Sequence, residues 1–312
     1  MTQPEGLVPD EEALAFEVEA AESVVASLVR ALAPVLARAV AGWAAGQTGQ
    51  ALRSVILTAL NAVHWGTMTP HLQKVAVSAV DLGVTRAVRD LQGTERRKSR
   101  GTRGPALEVP DLDHATRVRL ESAKDLVREL PLETKRDLDA VLGRVSAVRS
   151  RAEGQARWTA NEGLNAGVAA VAKKVGRSIL WVPERDACLH CLAYAGWSIR
   201  PGETFPPGLT FADAPLQRPD GIPYPPLHPG CRCQVKTMPG KPGPPGDPVT
   251  PGGALAREAR RSVVYGWTAH ASTNATLRAM SRLLDQGARL PASVERRARQ
   301  AVKAGQPLTR PR

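Results

Sequence analysis

Aromatic residues are scarce in this chain, which has three phenylalanines, three tyrosines and six tryptophans in 312 residues. Alanine, leucine, valine and arginine dominate instead, and most of these are strong helix formers. The composition therefore predicts a mostly α-helical fold.

Long uninterrupted apolar runs are also missing. The most apolar region, residues 24–45, is broken by Arg30 and Arg38, so we expect no membrane-spanning segment. The first twelve residues are acidic, unlike the basic start of a secretory signal peptide. We therefore expect the cysteine thiols to stay reduced, as they do in the cytosol.

Cysteine is rare too, and its placement is the most specific feature of the sequence. The four cysteines, Cys188, Cys191, Cys231 and Cys233, share one short window, with His228 beside the second pair. Thiolates and imidazole are the ligands of tetrahedral zinc sites, so there are five candidates for four positions. We favour the four cysteines, with His228 as the substitute for either of the last two. Two disulfides or inert free thiols are the alternatives.

The segment between the two cysteine pairs is rich in proline. Residues 192–230 include nine prolines and show little hydrophobic periodicity, which argues against a helix. A loop of this length is uncommon in a compact domain unless something holds its ends. A metal would do so, and structural zinc contributes on the order of 10 kcal/mol to folding a peptide with little core.

Three residues near the candidate ligands carry their own predictions. His190, inside the first cysteine pair, is expected to point away from the metal. Arg232, between two ligands, is expected to donate either to the thiolates or to a carboxylate such as that of Asp186. Trp181 is expected to lie in the core.

Apolar periodicity predicts eight helices, over residues 11–46, 47–65, 70–91, 110–130, 131–151, 153–175, 253–284 and 292–303. Pro34 should kink the first helix or end it. Two short β-branched runs, 179–182 and 234–237, are predicted to be paired strands.

Composition divides the chain into regions joined by linkers. A basic Gly- and Arg-rich linker is predicted at 93–109 and a flexible Pro/Gly linker at 239–252. The regions between them are an N-terminal helical region (1–92, its first ten residues a disordered arm), a middle domain (110–238) with an irregular α+β zinc-stapled module (179–238), and a basic helical tail (253–312).

Positive charge is concentrated in two places. The formal net charge is +12, and residues 251–312 hold twelve Lys/Arg against three Asp/Glu. A second basic cluster consists of Arg96, Arg97, Lys98, Arg100 and Arg103. Such an excess suits a polyanion, most simply nucleic acid, although a solvated basic face needs no partner.

The order of motifs around the cysteines matches a known pattern. A helix with Arg and Asn-x-Gly is followed by Trp, an acidic turn, Cys-x-x-Cys, Gly, a Pro-rich loop and His-Pro-x-Cys-Arg-Cys. The matching residues are Arg157, Asn165, Gly167, Trp181, Glu184, Asp186, Cys188, Cys191, Gly196, Pro226, His228, Pro229, Cys231, Arg232 and Cys233. This pattern resembles the phage Mu protein F-like family of minor head, or head morphogenesis, proteins. The resemblance covers about residues 110–238, and Trp158, Thr159 and Leu189 depart from it.

The resemblance implies a structural role in a bacteriophage or prophage capsid. Members of the family are encoded beside the portal protein, occur in few copies inside the head, and are thought to assist head assembly and DNA packaging or delivery. It implies portal and capsid proteins as partners and a location in the virion interior, with the host cytoplasm as the place of assembly. We also expect a non-specific contact with double-stranded DNA through the basic tail.

Two other classes of function are weighed against this one. A zinc-containing DNA-binding regulator usually places a basic helix directly after the zinc loop, where this chain has its Pro/Gly linker. A metal-dependent nuclease of the His-Asn-His type needs a second metal-holding histidine and a general base. After Cys191 the module has only His228, and the acids Glu203 and Asp213 lie at no recognisable spacing. We therefore expect no enzymatic activity.

Overall fold

The computed structural model describes residues 11–216, 220–246, 249–268 and 270–308. Within this part of the chain the protein is mostly helical, with one small three-stranded sheet, which confirms the predicted fold class. The predicted disordered arm, residues 1–10, lies outside the described residues.

The helices of the described chain are α1 Glu11–Ala44, α2 Gly49–Asn61, α3 Met68–Arg89, α4 Gly93–Lys98, α5 Leu112–Glu129, α6 Lys135–Val175, α7 Leu189–Ala193, α8 Pro251–Tyr265, α9 Thr273–Asp285 and α10 Ala292–Ala304. The strands are β1 Ser178–Val182, β2 Ser198–Ile199 and β3 Gln234–Met238. β1 lies in the centre and pairs antiparallel with both neighbours. The predicted pairing of the two longer strands is confirmed.

The helices differ from the sequence predictions chiefly in α1, α6 and the tail, and the short helix α4 lies inside the predicted basic linker 93–109. α1 continues through Pro34, so this proline does not end the helix. α6 runs unbroken where two helices were predicted, because no proline lies near Ala152 and Gly154 stays within the helix. The predicted helix 253–284 is in fact two helices. Gly266 ends α8 in the left-handed conformation, and the Ser272 hydroxyl caps α9 by accepting the backbone N–H of Ala275.

Contacts group the chain into two compact units. The cysteine unit comprises Ala79–Ala106 and the chain from Asn161 onward, with the start of α1 up to Leu14; the helical unit comprises Ala15–Ser78 and Leu107–Ala160. This division differs from the predicted domains because α1, α3 and α6 each contribute residues to both units. It also places the predicted basic tail in the same unit as the cysteines.

The helical unit has an apolar core of its own, formed by α1, α2, α5 and the first parts of α3 and α6. Leu28, Leu52, Ile56 and Leu120 are among its fully buried side chains. The guanidinium of Arg53 donates to the carbonyls that end α5, those of Val127 and Leu130, at 3.2 and 2.8 Å.

Among the described helices, α1 is long and apolar enough to cross a membrane by length and composition. Its most apolar 18-residue window has a mean hydropathy of 1.8, and one third of that window (33%) is buried in the protein. Core helices and signal sequences satisfy the same criterion, so the expected absence of a membrane span stays a prediction.

The core of the cysteine unit joins the sheet, the second part of α6, α7 and the three tail helices. All five residues of β1 are buried. Trp181 lies at the centre, with its ring 4.9 Å from that of Tyr194 and 5.1 Å from that of Phe205. Leu255, Val263, Met280, Leu283 and Val294 of the tail belong to the same cluster.

The predicted flexible linker at 239–252 is held by hydrogen bonds in its described part. Ser198 and Gly243 exchange two backbone hydrogen bonds of 2.9 and 2.8 Å, and the Ser178 hydroxyl donates to the carbonyl of Gly240. Composition indicated flexibility, but Ser198 of β2 and Ser178 of β1 supply hydrogen-bond partners for this backbone.

Candidate metal centre

Strand pairing brings the two halves of the Cys/His cluster together. Val182, the last residue of β1, is opposite Gln234, the first residue of β3. Cys188 and Cys191 follow β1 at the N-cap and inside α7, and Cys233 directly precedes β3. Residues 40 positions apart along the chain therefore meet at one end of the sheet.

The ligand atoms form two overlapping groups. Cys188, Cys191 and His228 make one, Cys191, Cys231 and Cys233 make the other, and within each group all ligand atoms lie within 4.8 Å. The Sγ atoms of Cys191 and Cys231 are 3.6 Å apart. Zinc–sulfur bonds of about 2.3 Å in a tetrahedron place two sulfurs about 3.8 Å apart, so this spacing fits. The cluster could hold a metal ion.

His228 is oriented for ligation through Nε2. Its Nδ1 lies 2.9 Å from the Pro229 carbonyl, which can only accept, so Nδ1 carries a proton. Nε2 faces the sulfurs of Cys188 and Cys191, at 3.0 and 3.1 Å, and would bind a metal ion there after giving up its own proton. A carbonyl that fixes the ring in this way is the usual partner of a metal-bound histidine. This geometry favours His228 as a ligand in its own right.

In the metal-free cluster, Cys188 and His228 have pKa values that favour the charged form, and the buried thiols of Cys191 and Cys233 have raised pKa values. Hydrogen bonding from Cys191, and next from His228, lowers the pKa of Cys188 to about 4, and the bond to Cys188 raises the pKa of His228 to about 9. The bond to Cys188 raises the pKa of Cys191, and burial raises the pKa of Cys233. The thiols of Cys191 and Cys233 therefore stay protonated without metal. A divalent cation that binds there would displace these protons.

The disulfide alternative does not describe this structure, in which all four cysteines are free. The separation of 3.6 Å between the sulfurs of Cys191 and Cys231 is far above the S–S bond length of about 2.05 Å.

Residues around the cluster resolve two of the sequence predictions. Arg232 donates to both carboxylate oxygens of Asp186, at 2.6 and 2.7 Å, which is the second of the two predicted contacts. His190 belongs to neither ligand group, and its Nδ1 contacts the Thr210 hydroxyl at 2.9 Å. Burial raises the pKa of the Glu184 carboxyl, and the nearby charge of Arg232 partly opposes this rise.

Two asparagines of α6 fix the start of β3 beside the cluster. The amide of Asn165 donates to the Cys233 carbonyl at 3.2 Å, and its Oδ1 accepts the backbone N–H of Val235 at 2.7 Å. Asn161, one turn earlier, donates to the same carbonyl at 3.2 Å. Both asparagines are buried. Asn161 was missed in the sequence, although its spacing of four from Asn165 places both on one helix face.

Two glycines of the recognised pattern allow close backbone approach. A Cβ on Gly167 of α6 would lie 2.7 Å from the Val84 nitrogen of α3 and closer still to the Val80 carbonyl oxygen. Gly196 has φ of +79°, and a Cβ there would meet the carbonyl of Gly252 at the start of α8. Each position therefore requires glycine.

The Pro-rich loop has more internal structure than the sequence predicted. Phe205, Ile222 and Leu227 are buried, and the Phe205 N–H donates to the Ile222 carbonyl at 2.8 Å. Asp213 in the middle of the loop pairs with Arg278 and Arg282 of α9, at 2.6 and 2.5 Å. Apolar residues far apart in the loop meet in the folded chain, so contacts within the loop help to hold it in addition to any metal at its ends.

Comparison of the chain with protein-family models, with curated proteins and with solved structures found no match.

Proposed function

We propose that the Cys/His cluster holds one zinc ion as a structural staple. Thiolates with one imidazole form the donor set that zinc prefers, and four protein ligands would leave the ion no open position for a substrate. The ligands would be Cys188, Cys191 and His228, with Cys231 or Cys233 as the fourth. The ion would join α7 to the turn that precedes β3.

Metal analysis tests this proposal. Protein purified without chelator should contain about one zinc per chain, as a closed tetrahedral site requires. Cys191→Ser should abolish binding, since Cys191 belongs to both ligand groups. His114→Asn, which removes an exposed histidine of α5, is the control for His228→Asn. Wild-type protein with less than about 0.2 zinc per chain would contradict the staple.

We propose further that the chain is a minor capsid protein of a tailed phage or prophage, acting in head morphogenesis in association with the portal and packaged DNA. The observation that supports this is the convergence of the motif residues. Asn165 anchors the backbone beside the Cys/His cluster, while Gly167, Trp181 and Gly196 have packing roles in the same unit. A motif that is used in this way fits a protein whose function is structural.

The acidic residues considered for a nuclease are engaged elsewhere. Glu203 accepts the backbone N–H of Arg200 at 2.9 Å, and Asp213 is paired with two arginines. A metal-activated water needs an open coordination position and a free general base. Both contacts therefore count against the nuclease alternative and favour a non-enzymatic role.

The regulator alternative is weakened by the position of α8. α8 follows the zinc loop after the linker, but Leu255, Ala259 and Val263 bury one face of it in the core of the cysteine unit. A recognition helix must be able to enter a DNA groove. Gel shifts with specific and random DNA duplexes distinguish the regulator from the capsid protein. A regulator should prefer its specific duplex, and a capsid protein should show no sequence preference.

Particle analysis tests the capsid proposal directly. Heads assembled from the genome that carries this gene should contain the protein in few copies, together with the portal, when they are purified and analysed by mass spectrometry. Its absence from particles that contain portal protein would reject the proposal. In the genome, we expect a portal gene directly upstream of the gene that encodes this chain.

A further inference from the structure

A basic cleft lies in the cysteine unit, outside the Cys/His cluster. It has a volume of about 550 Å³. One side is the loop 101–105, the floor is the α6 face that carries Ala166, Ala169 and Ala170, and the other side includes Tyr224. Clefts of roughly 300–1,000 Å³ accommodate ligands of nucleotide size.

The loop that borders the cleft is fixed in place. The side chain of Lys174 donates to the Arg100 carbonyl at 2.6 Å, and the Thr102 hydroxyl donates to the Ser99 carbonyl. Arg177 makes two hydrogen bonds to Glu95 of α4, at 2.9 and 2.5 Å. These contacts connect α4 and the loop to the end of α6, so the cleft is preformed.

Tertiary structure concentrates positive charge along this cleft. The basic cluster of α4 and the loop is exposed, and folding brings Lys173 and Lys174 of α6 beside it. Of the acids near the cleft, Glu95 is paired with Arg177 and Glu203 accepts the Arg200 backbone N–H. Glu162 is close enough to Tyr224 to add to burial in raising the pKa of its hydroxyl. The rim therefore offers several cations to phosphate groups, and the floor of the cleft is apolar.

We propose that this cleft binds single-stranded nucleic acid, with phosphates on Arg103 and Lys173 and one unstacked base on the alanine floor against Tyr224. A cationic groove with an aromatic wall is the arrangement by which proteins hold single strands without sequence preference. A duplex cannot place a stacked base inside a cleft of this size. The site uses none of the candidate metal ligands, so its failure would be distinct from failure of the zinc or capsid proposals.

Fluorescence anisotropy with a labelled oligothymidine of about 16 nucleotides tests the proposal at several salt concentrations. The pair Arg103→Ala and Lys173→Ala should weaken binding and reduce the slope of log affinity against log salt by about 1.4, for two single-strand phosphates. The matched control, Arg117→Ala with Arg144→Ala, removes two exposed cations of the helical unit and should change the slope much less. Equal effects of the two pairs would overturn the proposal.

Tyrosine variants test the base contact. Tyr224→Phe should bind as the wild type does, whereas Tyr224→Leu should lose about fivefold to a hundredfold in affinity because stacking is lost. Circular dichroism melts should show that both variants are folded. A Leu variant that is folded and binds normally, or a duplex that competes as well as the single strand, would reject the cleft as a site for an unstacked base.

Discussion

The side chain of Asn165 completes the backbone hydrogen bonding of Val235 at the edge of the metal centre. Its Oδ1 accepts the Val235 N–H at 2.7 Å, while its amide donates to the carbonyl of Cys233. A helix side chain thereby fixes the backbone that carries a candidate ligand. An amide side chain can accept through its oxygen and donate through its nitrogen at the same time, as Asn165 does here.

Replacing Asn165 should therefore destabilise the cysteine unit. In Asn165→Ala the N–H of Val235 and the carbonyl of Cys233 are left buried without this partner, which should cost about 2–3 kcal/mol. Asn165→Asp should also destabilise, because a carboxylate cannot donate to the carbonyl. Urea unfolding provides the measurement, with the exposed Asn274→Ala of α9 as control. A loss no larger than that of the control would show that the amide is dispensable.

The crossing of α3 and α6 at Gly167 gives a second prediction. Gly167→Ala would drive a methyl group into the α3 backbone, and overpacking of this kind costs about 1–3 kcal/mol. Gly154→Ala makes the same change on the same helix at an exposed position with nothing within 4 Å. It should stabilise by up to about 1 kcal/mol through helix propensity. The melting temperature should thus fall in Gly167→Ala and rise in Gly154→Ala. A shift of both in the same direction would contradict the close approach of α3 and α6 at Gly167.

Cys188 should be the first cysteine alkylated in metal-free protein. It is the least buried of the four, and its pKa of about 4 keeps it a thiolate at neutral pH. Its rate with iodoacetamide should therefore be nearly flat between about pH 6 and 8, where an ordinary thiol speeds up with rising pH. His228→Asn removes a partner that lowers this pKa, so labelling at the lower pH should slow.

Peptide mapping by mass spectrometry measures this labelling. Zinc added beforehand should suppress it, because a metal-bound thiolate is a poor nucleophile, and His114→Asn should behave as the wild type. Preferential labelling of Cys231 or Cys233 would contradict the geometry of the cluster.

The basic tail should bind duplex DNA weakly and without sequence preference. Deleting it is not a clean test, since its helices contribute Leu255, Met280 and Val294 to the core of the cysteine unit. Arg296→Gln with Arg297→Gln instead removes two exposed charges from α10. The salt slope should fall by about 1.8 for two duplex phosphates. A DNA affinity that does not change with salt concentration would contradict electrostatic binding. That result would favour an acidic protein partner for the arginines of the tail.

Helix and strand positions were predictable where local pattern decides them. The strand runs at Ile179 and Val235 and the end of α6 at Gly176 agree with the structure because β-branched runs and capping glycines act locally. The internal break expected in α6 was wrong, because Ala152 lies in the core and no proline interrupts the helix beside it.

The sequence by itself determined the five candidate ligands, because clustered thiols and a histidine are rare and their chemistry is a property of residue type. Only the tertiary structure decided how they are held and what surrounds them. The hydrogen bond from Asn165 to Cys233 spans 68 positions, and that from Lys174 to Arg100 spans 74. Contacts at such separations depend on how helices and strands pack, and no local periodicity encodes that packing.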